Sequence, residues 1–135
     1  MKQKITILGS GESGTGAALL AQSLGYEVWV SEGAVIKLAY RKELQEQGIA
    51  YEEGGHSRDK ALAADCIIKS PGISPQMRLL QEAAQRGIEI IGEVEFAARY
   101  TNRPIIGITG SNGKTTTSLL THHLLKEAGR RAVLA

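Results

Sequence analysis

The chain has 135 residues, with 16 Lys or Arg, 14 Asp or Glu and a formal net charge of +2 at pH 7. This length accommodates one domain and at most part of a second. So small a net charge does not indicate binding to DNA, RNA or an acidic membrane surface. A hydrophobic content of 42% excludes a disordered chain. Glycine is enriched at 16 residues, about 12% against roughly 7% in average proteins, which indicates a backbone that approaches something closely.

The single cysteine, Cys66, excludes an internal disulfide and a cysteine-based zinc site. Its apolar neighbours favour a small packing residue over a reactive thiol. The first apolar run, residues 5–8, ends at Gly9 and is too short for a signal peptide or a membrane span. We therefore expect a cytoplasmic protein.

Short β-branched runs alternate with longer helical stretches along the chain. In chain order the pattern predicts strand 5–8, helix 15–24, strand 27–30, helix 34–47, strand 49–51, helix 60–64, strand 65–69, helix 75–86, strand 88–91, helix 93–100, strand 104–108, helix 114–128 and strand 131–135. This alternation predicts an α/β fold with a doubly wound parallel sheet. Ligands of such sheets bind at the carboxyl ends of the strands, so the loops after the strands are the candidate sites.

The first candidate loop is a complete G-x-G-x-x-G between the first predicted strand and helix, with glycines at Gly9, Gly11 and Gly14. Glycines allow the tight turn and the approach of a pyrophosphate to bare backbone, and the helix N-terminus supplies N–H groups. A tight turn without a ligand is the alternative. Glu32 follows the second strand, where a dinucleotide-binding fold keeps its ribose carboxylate. A nicotinamide-dinucleotide site therefore stays open at this point.

The second candidate loop lies between predicted strand 104–108 and helix 114–128, and its end, Gly113-Lys114-Thr115, is typical of a phosphate-binding loop. Backbone N–H groups would surround the phosphates, Lys114 would reach the terminal ones and the Thr115 hydroxyl would bind Mg²⁺. The strict motif requires glycine where Ile108 stands, with Gly107 one residue too early. The candidate residues are Gly110, Ser111, Asn112, Gly113, Lys114, Thr115 and Thr116.

A third loop, Ser70-Pro71-Gly72, follows predicted strand 65–69 and is either a structural turn or the second wall of the first site. Other conspicuous residues receive plainer interpretations. His56 is interpreted as a solvated turn residue and Trp29 as a core residue, and Glu93 suits a helix N-terminus or lines the ligand edge. The adjacent histidines 122 and 123 point to different faces of a helix, which argues against a metal pair.

Taken together, four motifs resemble the Mur ligases of bacterial peptidoglycan synthesis. They are residues 9–14, Ser70-Pro71-Gly72-Ile73, Gly92-Glu93-Val94-Glu95 and Thr109-Gly110-Ser111-Asn112-Gly113-Lys114-Thr115. The last is specific to the superfamily of Mur and folylpolyglutamate ligases. The resemblance runs along the whole chain but covers only about the first third of such an enzyme. The second and third motifs favour the family member that adds D-glutamate.

The resemblance implies a Rossmann-like UDP-sugar-binding domain at residues 1–101 and the truncated start of a central ATP-binding domain at residues 102–135. It implies that the pyrophosphate lies on the glycine turn, the uracil near the end of the second strand and the rest of the nucleotide against the third loop. The implied UDP-sugar contacts are Gly11, Glu12, Ser13, Gly14, Ser31, Glu32, Ser70, Pro71 and Gly72. It also implies that Lys114 is catalytic on the ATP phosphates and that Thr115 binds Mg²⁺.

The reaction implied by the resemblance joins D-glutamate to UDP-N-acetylmuramoyl-L-alanine. ATP phosphorylates the terminal carboxylate, and the amine of D-glutamate then attacks the acyl phosphate. The family's further magnesium ligands, its modified lysine and its amino-acid-binding domain lie beyond Ala135, so we expect this chain alone to bind nucleotide sugar without catalysing ligation. Two alternatives remain: an NAD(P)-binding Rossmann module and a non-catalytic nucleotide-binding module.

Truncation of the second domain predicts self-association or packing onto the first domain, because its apolar side chains need burial. These side chains are Ile105, Ile106, Ile108, Leu119, Leu120, Leu124 and Leu125. Light scattering should therefore show a dimer or larger species, or amide exchange should show protection along helix 114–128. A strictly monomeric species whose helix exchanges all its amides would contradict both forms of the prediction.

Overall fold

A computed structural model describes residues 2–134 of the chain. It divides into two compact units, Met1–Asn102 and Arg103–Ala135. The division lies one residue from the boundary expected from the sequence. The assignment of the two units to nucleotide-sugar binding and ATP binding stays a prediction.

The first unit is a five-stranded parallel sheet with helices between the strands. The strands are β1 Lys4–Leu8, β2 Glu27–Glu32, β3 Ala50–Glu53, β4 Cys66–Lys69 and β5 Glu89–Gly92. The helices are α1 Glu12–Ser23, α2 Leu38–Glu46, α3 Arg58–Ala61, α4 Arg78–Gln85 and α5 Glu93–Ala98. The strand order is β3-β2-β1-β4-β5, and all four neighbouring pairs are parallel. The predicted doubly wound α/β fold is confirmed.

Both faces of the sheet are covered, as the continuous apolar runs of its strands require. On one face Ile5 and Ile7 of β1 pack in a cluster with alanines of α1, whose small side chains allow the helix to lie close to the sheet. On the other face Leu8 packs in a second cluster with Ile67 of β4 and with Leu80 of α4. The central strand β1 therefore belongs to both cores.

The direction of chain winding reverses at β1. From β1 the chain proceeds to β2 and β3 on one side, then crosses back to place β4 and β5 on the other. The loops that leave β1 and β4 consequently diverge, and this opens a crevice at the carboxyl edge of the sheet. The glycine turn after β1 and the loop that begins at Ser70 both lie at this crevice.

Two predicted helices are too long at their start. Helix 34–47 begins only at Leu38 and helix 75–86 only at Arg78. Before α2, the N–H groups of Ala34 and Ile36 donate to side-chain carboxylates of Glu32 and Glu53, and such hydrogen bonds hold the segment outside the helix. Conversely, α1 begins three residues earlier than predicted, because the glycine turn passes directly into it.

The second unit contains helix α6, Lys114–Glu127, close to its predicted bounds. The predicted strand 104–108 is not formed, and residues 131–134 of predicted strand 131–135 are not strand either, while Ala135 lies outside the described residues. A strand is stable only when a neighbouring strand satisfies its backbone groups, and residues 103–134 supply none. No residue of α6 is buried, and Leu119, Leu120 and Leu124 are each more than half exposed.

Within residues 2–134, no helix combines the length and apolar character needed to cross a membrane.

Candidate functional site

The glycine turn after β1 is folded so tightly that two of its glycines are sterically required. Gly9 has a φ of +99°, which L-residues with a side chain rarely adopt. A Cβ placed on Gly14 would lie 2.2 Å from the carbonyl oxygen of Gly9. The amide of Gly9 donates to the carbonyl of Ser31 at 2.9 Å, which fixes the turn to the end of β2.

The outer surface of the turn is free to receive a ligand. Gly11, Glu12 and Ser13 are exposed, and a Cβ on Gly11 would meet no atom within 4 Å. No side chain caps α1, and the first N–H groups of a helix have no acceptor within it. The end of α1 therefore offers the donors and the partial positive charge that a pyrophosphate needs. Gly14 is buried, and its lack of a Cβ allows α1 to pack directly onto the turn.

The loop after β4 forms the second wall of the crevice, and Glu93 fixes it. Ser70 donates its backbone N–H to the carbonyl of Leu8 at 2.9 Å and its hydroxyl to Glu93 Oε1 at 2.5 Å. Glu93 is only 6% exposed and is the first residue of α5. The same Oε1 lies 3.5 Å from the position that a Cβ on Gly14 would take. One carboxylate thus binds the loop after β4 and lies close to the glycine turn, whereas Pro71 and Gly72 are exposed.

Glu32 ties the end of β2 to the glycine turn. Its Oε2 accepts hydrogen bonds from the backbone N–H and the hydroxyl of Ser10 at 2.8 and 2.9 Å, and its Oε1 accepts from the N–H of Ala34 at 3.0 Å. Desolvation raises the pKa of Glu32, but the hydrogen bonds from Ala34 and Ser10 and the charge of His56 outweigh it. The pKa is therefore lowered overall, and the carboxylate is ionised at neutral pH.

Ser31, a predicted uracil contact, is fully buried in a hydrogen-bonded group with Glu52 and His56. Its hydroxyl donates to Glu52 Oε1 at 2.7 Å and lies 2.7 Å from His56 Nδ1. Glu52 also accepts from the backbone N–H of Ser57 at 2.7 Å and from the Ser57 hydroxyl. Desolvation raises the pKa of Glu52, but these hydrogen bonds from Ser57 and Ser31 outweigh it, so the pKa is lowered.

The sequence placed Glu93 at a helix N-terminus or at the ligand edge, and the structure has it at the first position of α5, but its hydrogen bond with Ser70 and the role of His56 were missed. His56 is half-buried and hydrogen-bonded, not a solvated turn residue. Both residues follow strands of the same parallel sheet, and that position was the signal that could have identified them. A direct contact between Ser31 and a ligand stays a prediction.

In the second unit, the candidate phosphate-binding loop leads into α6 at the predicted position. Gly110 and Gly113 have φ values of +154° and +78°, so both need glycine. Lys114 Nζ donates to the carbonyl of Gly110 at 2.6 Å, which holds the ammonium over the loop. Ser111, Asn112, Thr115 and Thr116 are exposed around the helix N-terminus. Ammonium, hydroxyl and uncapped N–H groups together are a donor set that fits a polyphosphate and its Mg²⁺ ion.

Cys66 is not activated as a nucleophile in the described structure. Burial raises the pKa of the Cys66 thiol to about 12, and the charge of Glu89 adds to the shift, so the thiolate is not populated at neutral pH. Cys66 borders a cavity of about 100 Å³ at the amino edge of the sheet, away from the crevice. Residues 2–134 contain no group of three or more His, Cys, Asp or Glu that could hold a metal ion.

Comparison with solved structures identifies the class of this fold. The chain is similar to the UDP-N-acetylmuramate–alanine ligase MurC of Thermotoga maritima, at 25% identity and a TM-score of 0.62, over 93% of this chain and 30% of that one. It is also similar to a murein peptide ligase of Psychrobacter arcticus, at 26% identity and a TM-score of 0.68, over 94% and 27% of the two chains. The first unit has the fold of a Mur ligase N-terminal domain.

Sequence comparison gives the particular family. The profile of the MurD N-terminal domain matches residues 4–79, more than half of the chain, and the chain belongs to that family. UDP-N-acetylmuramoylalanine–D-glutamate ligases of Cytophaga hutchinsonii and Bacteroides fragilis are 52% and 47% identical over 96% and 98% of this chain. The chain spans 29% and 30% of the length of these two relatives. The resemblance inferred from the motifs is confirmed.

The turn geometry predicts opposite effects for two glycines of α1 that are two positions apart. Gly14→Ala should lower the free energy of unfolding by about 1–3 kcal/mol, because its methyl would overlap the backbone oxygen of Gly9. Gly16→Ala should raise it by up to about 1 kcal/mol, since the site is open and alanine favours helix. Urea unfolding of the two variants measures this. Equal effects would contradict the assigned packing role of Gly14.

The lowered pKa of Glu32 predicts a pH-dependent contribution to stability. A carboxylate whose pKa is below its usual 4.5 in the fold stabilises the protein above pH 4.5, and this contribution is lost as the pH falls through the folded pKa. Melting temperatures of the wild type and Glu32→Gln should therefore differ most near pH 7 and converge in acid. Glu43→Gln, at an exposed position, is the control, and its free energy of unfolding should stay within about 0.5 kcal/mol of the wild-type value. A Glu32→Gln difference that is constant with pH would refute the prediction.

Proposed function

We propose that this chain is the N-terminal part of an ATP-dependent ligase that joins D-glutamate to UDP-N-acetylmuramoyl-L-alanine in peptidoglycan synthesis. Membership in the MurD N-terminal domain family supports this proposal, as do the names of the relatives that the chain resembles. The observation that carries it is the uncapped N-terminus of α1 at the reversal of chain winding, next to an exposed Gly11. Such a position binds a pyrophosphate.

In this proposal the first unit holds the nucleotide sugar. The pyrophosphate accepts hydrogen bonds from backbone N–H groups at Gly11, Glu12, Ser13 and Gly14. Ser70, held by Glu93, supplies the opposite wall together with Pro71 and Gly72. Glu32 keeps the glycine turn and the end of β2 at a fixed separation. The side chains act as positioning groups, and the backbone supplies the contacts to the anion.

The second unit starts the ATP site in this proposal. Lys114 and the N–H groups at the start of α6 neutralise charge on the phosphates, and the Thr115 hydroxyl is a ligand of Mg²⁺. When bound, ATP with Mg²⁺ supplies the phosphoryl group that activates the substrate carboxylate. We further propose that the protein is cytoplasmic, where ATP is available, and that this chain alone does not complete the reaction.

The dinucleotide alternative is not favoured. A nicotinamide-dinucleotide site uses the carboxylate after β2 to bind ribose hydroxyls. Here both oxygens of that carboxylate, on Glu32, already accept hydrogen bonds from Ser10 and Ala34. The family match and the phosphate loop before α6 also lack an explanation in that alternative.

Calorimetric titration with UDP-N-acetylmuramoyl-L-alanine, with NADH as the comparison ligand, tests the proposal. We expect saturable binding of the nucleotide sugar and none of NADH. Gly11→Asp should abolish binding because it sets a negative charge against the pyrophosphate, whereas Gly11→Asn, of the same shape and without the charge, should retain most of it. Both residues cap helices well, so both variants should fold.

Three outcomes would contradict the proposal. Binding of NADH alone would restore the dinucleotide alternative. Equal affinity of Gly11→Asp and Gly11→Asn would move the pyrophosphate away from the glycine turn. Amide product formed by the pure chain from ATP, D-glutamate and the nucleotide sugar would show that the residues present suffice for catalysis.

A further inference from the structure

The face of the sheet that carries Leu8 has a cavity of about 260 Å³ beside its packed core. We propose that this cavity binds a small hydroxylated aromatic carboxylate, with its carboxylate on Lys60, its ring beside Trp29 and its hydroxyl on Thr6. We call it the Trp29 cavity, and its lining includes Thr6, Trp29, Ala50, Lys60, Ala63 and Ala64. The inference goes beyond the proposed function and does not rest on it, because this cavity borders the first residues of β1 and β2 and not the carboxyl edge.

The cavity exists because the connection from β3 to β4 contains only one helical turn. Thr6, Trp29 and Ala50 are direct neighbours on β1, β2 and β3, so their side chains form a row on one face of the sheet. The next residue of the row, Ile67 of β4, is fully buried in the cluster that includes α4. The four residues of α3 do not extend this cover over β2. Trp29 is therefore half-buried beside the cavity and is not the core residue that the sequence indicated.

The floor of the Trp29 cavity contains a hydroxyl without a partner. Thr6 is only 1% exposed, and its hydroxyl forms no hydrogen bond with any group of residues 2–134. Buried polar side chains are normally hydrogen-bonded, and an unpaired one costs free energy. Because Thr6 lines the cavity, a polar atom of an occupant can supply the hydrogen bond that the protein does not.

The rim of the cavity carries a cation that no carboxylate neutralises. Lys60 Nζ lies 4.0 Å from the centroid of the Trp29 ring, where the electrons of the indole attract the ammonium. Within residues 2–134 Lys60 forms no ion pair, whereas the neighbouring Asp59 is paired with Arg58. Lys4 also borders the cavity, but it is paired with a glutamate at 3.3 Å. The charge that complements this rim is therefore negative, and its position is at Lys60.

These features together define the class of the ligand. The indole and three alanines form apolar walls, and an aromatic ring packs favourably against an indole. A cavity of roughly 150 Å³ is enough to bind benzene, so the Trp29 cavity has room for a substituted benzene ring. The free ammonium requires an anionic group at the rim, and Thr6 favours a hydroxyl at the inner end. 4-Hydroxybenzoate has all three parts, and benzoate lacks only the hydroxyl.

Fluorescence titration tests the inference directly, because Trp29 is the only tryptophan of the chain. Benzoate at neutral pH should change the emission of Trp29 saturably. Benzyl alcohol, which has a similar shape and no charge, should bind roughly 5-fold more weakly. Lys60→Gln should bind the two probes with equal affinity. Lys42→Gln is the matched control and should keep the wild-type ratio, because α2 packs on the opposite face of the sheet.

The hydroxyl of the ligand gives an independent comparison. 4-Hydroxybenzoate should bind to the wild type roughly 5-fold more tightly than benzoate, the worth of one hydrogen bond. Thr6→Val keeps the shape of the side chain and removes its hydroxyl, so it should bind both probes equally. A third measurement needs no variant: nuclear Overhauser contacts in the wild type should join the ring protons of benzoate to the methyl groups of Ala63 and Ala64.

Five outcomes would overturn the inference. They are the absence of a saturable change in fluorescence, equal affinity of the wild type for benzoate and benzyl alcohol, an unchanged ratio in Lys60→Gln, a gain from the hydroxyl that is absent in the wild type or persists in Thr6→Val, and ring contacts only to methyl groups outside the cavity. None of them bears on the nucleotide sugar, whose calorimetric titration tests the proposed function separately.

Discussion

The close approach of α1 to the turn after β1 is the contact on which the rest of the first unit depends. The carbonyl of Gly9 fills the space that a Cβ on Gly14 would occupy, so the helix begins directly against the end of the central strand. This contact points the free N–H groups of α1 into the crevice opened by the reversal of chain winding. The same position brings the buried alanines of α1 onto the core around Ile5 and Ile7. The exposure of the helix N-terminus and the packing of the core thus share one steric requirement.

Carboxylates then fasten the loops of the carboxyl edge to one another. Glu32 accepts from the turn after β1, Glu53 from the N–H of Ile36, and Glu93 from Ser70. Each one satisfies donors that the irregular backbone or a hydroxyl would otherwise leave unpaired near the site. Because the oxygens of these three side chains accept hydrogen bonds from the protein itself, they hold the loops of the edge in place. The loops of this edge are therefore preorganised.

In the second unit the loop and the helix predicted from local sequence are formed, but the predicted strand has no neighbouring strand to pair with. The glycine-rich loop and α6 form where predicted, since glycines with positive φ shape the loop locally. Residues 104–108 have the β-branched composition of a strand, yet no strand forms, because residues 103–134 offer no neighbouring strand for their backbone groups. Leu119, Leu120 and Leu124 of α6 are correspondingly more than half exposed.

The sequence by itself determined the alternation of strands and helices, the glycine turn after β1 and the glycine-rich loop before α6. Each of these depends on the hydrophobic periodicity, the glycine positions and the charges within a few neighbouring residues. It also indicated the family through its motifs. Only the tertiary structure decided that Glu93 binds the loop after β4 close to the glycine turn, that Ser31 is buried between Glu52 and His56, and that helix α2 begins as late as Leu38. Apart from the bond between Ala34 and Glu32, those outcomes rest on hydrogen bonds between residues 17 to 25 positions apart. Local pattern carries no information about such pairs, since the order of strands in the sheet determines which loops meet.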